Sequence, residues 1–135
     1  MSLLLALHVV ANLVWIGSIL AVALVLSHGA GDAKVRGETA LMLYRRLSTP
    51  GFVLAFLLGV VVLASNATYY LRTSHFMHAK LLLALGVIGL HHVIGARAKK
   101  LAAGTTQDIG PVLVLALVLL LLAAGAAILA VLKPF

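Results

Sequence analysis

The chain of 135 residues has no cysteine, three acidic residues and three prolines, and only 10% of it is charged. The missing cysteine excludes disulfides, thiolate nucleophiles, iron–sulfur clusters and cysteine-ligated zinc. The three carboxylates, Asp32, Glu38 and Asp108, all fall between apolar runs. No carboxylate pair is therefore available inside those runs for acid–base chemistry or for bridging a metal. Soluble domains are about 25% charged, whereas here hydrophobic residues make up 64% and the mean hydropathy is +1.21. The composition is that of an integral membrane protein, short enough to be a single domain.

The net charge of +7 comes from residues placed between the apolar runs. That placement argues for topology and against nucleic-acid binding. The opening "MSLLLALHVVANLVWIGSILAVALVLS" has no basic n-region, and it far exceeds the ~7–15 apolar residues of a signal-peptide core. It reads as a first membrane helix.

A spanning helix needs about 20 mostly apolar residues, and segments 3–27, 50–70, 76–96 and 111–132 qualify. The expected fold is an all-α, integral membrane four-helix bundle. Thr49 reads as a cap for the second helix, with Pro50 in its first turn, and Pro111 opens the fourth. "HGAGDAKVRGETALMLYRRLS" reads as a turn followed by a short interfacial helix. Gly86, Gly89, Ala55 and Gly59 read as sites of close helix packing. Seven basic residues (Lys34, Arg36, Arg45, Arg46, Arg97, Lys99, Lys100) lie in the two long loops, against Arg72, Lys80 and Lys133 elsewhere. This bias predicts cytoplasmic loops and periplasmic termini in a bacterial inner membrane. Helices 1 and 3 then run parallel, and the two halves rhyme faintly as a repeat.

Ionisable residues within the membrane are costly and usually face the bundle interior. Neutral imidazole is also a common ligand of metals and haem iron. His8 and His78 fall at similar depth on parallel helices, and Asn12 and Trp15 share the face of His8 by helical spacing. On helix 3, His92 lies near the face of His78 and His91 nearly opposite, so spacing favours His92 for a shared cavity. His75 reads as interfacial, and His28 is either interfacial or a ligand. Lys80 either snorkels to headgroups or serves as a cation for an anionic ligand or for proton transfer. The histidines are spread over two depths without a tight pair, which suits a haem better than a bare ion.

"LHVVANLVWIGS", "LYRRLSTPGFVLAFLLG", "HAKLLLALGVIGLHH" and the closing "PVLVLALVLLLLAAGAAILAVLKPF" resemble the HemJ-type protoporphyrinogen IX oxidases, small four-helix membrane proteins with CopD-like relatives. The most specific elements are His78 with Lys80, Tyr44-Arg45 ahead of Thr49-Pro50, and Lys133-Pro134-Phe135. The resemblance implies haem b in the bundle, oxidation of protoporphyrinogen IX to protoporphyrin IX, and electrons passed to a quinone. It implicates His8, His28, His78, Lys80 and His91, with His78 and Lys80 in the chemistry. It thus points to His91 where spacing favours His92, and both are kept as candidates. The chain departs from the family at Val22 and Ala23, where relatives carry Pro-Arg, and at Leu90, where they carry Tyr. The lost arginine implies a lost contact to a tetrapyrrole carboxylate. Competing readings are a haem-binding electron carrier without that substrate, a CopD-like copper-handling protein bound through His8 and His78, and a structural subunit. A bundle this small also makes a homodimer a reasonable expectation.

Overall fold

The computed structural model describes residues 2–29 and 31–135, and every element among them is helical. Four helices carry the chain: α1 Ser2–Ser27, α2 Ala33–Ser65, α3 His75–Ala103 and α4 Val112–Leu132. Each is long and apolar enough to cross a membrane. Many of their leucines and valines, Leu13, Leu54, Leu82 and Leu121 among them, are exposed on the outside of the bundle, as a lipid-facing surface requires.

Two expectations about boundaries are overturned. The interfacial helix and the second span are not separate, because α2 runs unbroken from Ala33 through Pro50 to Ser65. Asp32 caps its start, Oδ1 accepting from the Lys34 amide at 2.8 Å. Thr49 is helical and caps nothing, its Oγ1 buried without a partner. What lets the helix continue is a π-helical turn, Tyr44–Ser48, in which the Thr49 N–H reaches back to the Tyr44 carbonyl. Proline lacks an N–H and its ring collides with the carbonyl four residues earlier; the wider turn just before Pro50 absorbs that misfit. Likewise α3 runs on past Ala96 to Ala103, so Arg97, Lys99 and Lys100 are helical rather than in a loop. It stops at Gly104, whose φ of 73° suits glycine, with Gly104 N–H bonded to Leu101 O (3.2 Å) and Thr105 N–H to Lys100 O (3.1 Å).

The helices pack in a way that α2 dictates. Its loop-end segment, Ala33–Leu43, lies on α3, while Thr49–Ser65 lies on α1; α4 packs along α3 and also touches α1. Gly37 permits the first contact, since a Cβ there would meet the backbone of Leu101 and Ala102. Gly51 permits the second, since a Cβ there would come within 3.0 Å of the Trp15 backbone. The core is concentrated toward the loop end, in Ile19, Val22, Ala23 and Leu26 of α1, Ile94, Ala98 and Leu101 of α3, and Val112 and Leu119 of α4. At the opposite end, the Phe76 amide is held by the Phe135 carbonyl at 3.0 Å.

Candidate functional site

The histidines of the expected site are treated very differently by the packing. His91 is fully buried, at 0% exposure, while His92 beside it is exposed. His78 and His92 lie on similar faces of α3, as their spacing predicts, but both are exposed, so that face lines no interior cavity. The interior face belongs to His91, because α2 and α1 approach α3 from that side.

Three aromatic rings enclose His91. Tyr44, from the π-helical turn, has its ring centroid 4.9 Å away; Phe52 lies at 5.1 Å and Trp15 at 5.8 Å, edge-on. Tyr44 reaches this position because its ring lies against Gly95, where any Cβ would overlap it. Trp15 Nε1 donates to His91 Nδ1 at 3.1 Å. An indole N–H can only donate, so Nδ1 presents its lone pair and the ring hydrogen of the neutral imidazole resides on Nε2. That N–H is buried without a partner. In this tautomer Nε2 presents a hydrogen and no in-plane lone pair, so His91 as packed offers a metal no donor atom. Beside it, Ser48 Oγ donates to Ser18 Oγ at 2.9 Å, and Ser18 Oγ donates to the Trp15 carbonyl at 3.0 Å. Trp15 is thus held from two sides.

His8 has the opposite arrangement. Its Nδ1 lies 2.9 Å from the Ala55 carbonyl of α2, which only accepts, so Nδ1 carries the hydrogen and Nε2 the lone pair. This is the tautomer in which a second-shell carbonyl orients a ligating imidazole. Asn12, one turn on, donates through Nδ2 to the His8 carbonyl at 2.7 Å and sits 3.2 Å from Nε2. The ring rests on Gly59 and is half-buried. Lys80 of α3, also half-buried, is the cation within electrostatic reach of His8.

The remaining candidates are peripheral. His78 is exposed, its ring 6.3 Å from that of His75. His92 is anchored to its own helix, Nδ1 donating to the Ile88 carbonyl at 2.8 Å. His28 is exposed beside a shallow, mostly apolar cleft of about 290 Å³ that it shares with Leu24, Val25 and Arg36. Among the described residues, no group of three or more histidines and carboxylates is placed to hold a metal ion. Tyr44 and Phe52 join the cage around His91 from a different helix, which spacing along α3 does not reveal. The available signal is Gly95, one turn beyond His91, which leaves the space a large ring fills.

No family model, no curated protein and no solved structure matches the chain.

Proposed function

We propose that the protein is a haem b-binding membrane oxidoreductase in which His8 would hold the haem iron through Nε2. The observation that carries this reading is the 2.9 Å contact of His8 Nδ1 with the Ala55 carbonyl, which leaves Nε2 with its lone pair on a half-buried ring. The donor set fits a haem at His8, once Asn12 turns away. It does not fit at His91, which is enclosed and holds its hydrogen on Nε2. When bound, haem b would supply one-electron transfer; converting protoporphyrinogen IX to protoporphyrin IX releases six electrons and six protons, which three quinone molecules would take up as quinol. Lys80 would hold a tetrapyrrole carboxylate near His8, whereas His78, about 200° around α3 from Lys80 and facing outward, is turned away from that site.

A second reading, electron transfer without oxidation of that substrate, has its own support. Val22 and Ala23, at the positions where the resembled family has Pro-Arg, are both 0% exposed and packed into the apolar core. No cation at those positions reaches a substrate carboxylate.

An optical spectrum of the protein purified with ample haem tests the shared premise. A Soret band that is lost in His8→Ala and kept in His92→Ala is expected; a band indifferent to His8 sinks the assignment. Rescue of a strain lacking its own protoporphyrinogen oxidase then separates the readings. Growth supports the oxidase, and a haem-loaded protein without growth supports the carrier.

A further inference from the structure

At the loop end of the bundle, where α3 stops and α4 begins, Arg97, Lys100, Thr105, Thr106 and Asp108 line a cleft of about 380 Å³. Two cations thus converge on one space with a single carboxylate. That carboxylate is already engaged, Asp108 Oδ1 accepting from the Gly110 amide at 2.8 Å. Neither cation pairs with it: the one ion pair among the described residues is Lys34–Glu38, elsewhere on the surface. The two hydroxyls are used within the loop, Thr105 Oγ1 donating to the Lys100 carbonyl at 3.1 Å and Thr106 Oγ1 accepting from the Asp108 amide at 3.1 Å. Arg97 is fixed in place by one of its five donors, Nη1 donating to the Ile109 carbonyl at 2.9 Å. Its other donors, and the Lys100 ammonium, are left for a ligand.

We infer that this cleft binds a phosphate group, presented by an anionic phospholipid headgroup or by a small soluble phosphate. Like charges held side by side repel unless a counter-charge joins them, and a pre-set guanidinium fork beside an ammonium matches phosphate oxygens. The location agrees: the cleft lies at the turn between two apolar helices, α3 and α4, and basic pockets between spans recruit anionic lipids.

The test uses the whole protein, delipidated in a neutral detergent and titrated with phosphatidylglycerol, phosphatidylcholine and inorganic phosphate. Binding is followed by native mass spectrometry and by thermal unfolding. Phosphatidylglycerol is expected to bind more tightly than phosphatidylcholine. Lys100→Gln is expected to weaken it about five-fold, the loss of one basic contact to an anionic headgroup, as is Arg97→Gln. Lys99→Gln removes the same charge from the same helical turn but outside the cleft, and is expected to leave binding unchanged. Because Arg97 also supports the loop, Lys100→Gln is the deciding variant. Binding of inorganic phosphate that Lys100→Gln also weakens assigns the site to a soluble phosphate; binding of phosphatidylglycerol alone assigns it to lipid. Equal binding of the two lipids with none of inorganic phosphate overturns the proposal. So does an equal effect of Lys99→Gln and Lys100→Gln.

Discussion

Trp15 Nε1 donates to His91 Nδ1 at 3.1 Å, joining α1 to α3 across 76 positions of sequence in the middle of an apolar core. Neither partner has water to fall back on, so breaking the pair strands a polar atom. Trp15→Phe is expected to destabilise the bundle by about 1–3 kcal/mol. His91→Phe is expected to cost a similar amount, while the double variant costs less than the sum. A coupling energy of about 0.6–2 kcal/mol, measured by unfolding in mixed micelles, is the expected result. Strict additivity would show that the bond contributes nothing.

The glycines rank by what a methyl group would meet. Gly37→Ala drives a Cβ into the backbone of Leu101 and Ala102, which cannot step aside without parting α2 from α3. A loss of about 1–3 kcal/mol is expected. Gly59→Ala meets only the His8 ring, at 2.9 Å, and a side chain yields more cheaply than backbone. Gly89→Ala meets nothing within 4 Å and is expected to be neutral or slightly stabilising. Thermal midpoints in one detergent check the order Gly89, Gly59, Gly37; any other order contradicts the packing.

Sidedness is directly accessible because the chain has no cysteine of its own. With Ser2→Cys and Gln107→Cys made singly, a membrane-impermeant maleimide added to intact cells is expected to label position 2. Position 107 should react only after lysis. The reverse pattern would invert the orientation drawn from the basic residues.

His92, exposed and bonded only to its own helix, should be dispensable to the fold. His92→Gln is expected to change stability by less than about 0.5 kcal/mol, whereas His91→Gln, in the enclosed aromatic cage, should be clearly destabilising. Comparable losses at both positions would mean that His91 is not the interior residue.

Much of this architecture is legible in the sequence, and the parts that are not share a physical cause. The number of spans follows from runs such as Val112–Leu132, long enough and apolar enough that few alternatives exist. The extensions of α2 back to Ala33 and of α3 on to Ala103 escape the same reasoning, since they rest on Gly37 meeting Leu101 and Ala102 rather than on apolar character. The His8–Asn12 pair is readable because it is one turn apart. The choice between His91 and His92 is not, because lipid and core are equally apolar and the pattern of leucines does not mark which face of α3 looks inward. Spacing relates His92 to His78 well enough; only the packing of α1 and α2 shows that their side faces out.

The π-helical turn at Tyr44–Ser48 also fixes how this chain tolerates changes in length. One residue added to or taken from a helix rotates all that follows by about 100°. A π-helical turn holds one residue more than the α-turn it replaces, so deleting Leu47 would close it to regular helix with Gly51 and Gly59 still on α1 and Gly37 still on α3. Deleting Leu54 from the regular helix would instead swing Ala55 and Gly59 off α1. The wide turn is thus the place in α2 where a missing codon keeps both halves in phase, and what the helix would lose is the room that the turn gives Pro50.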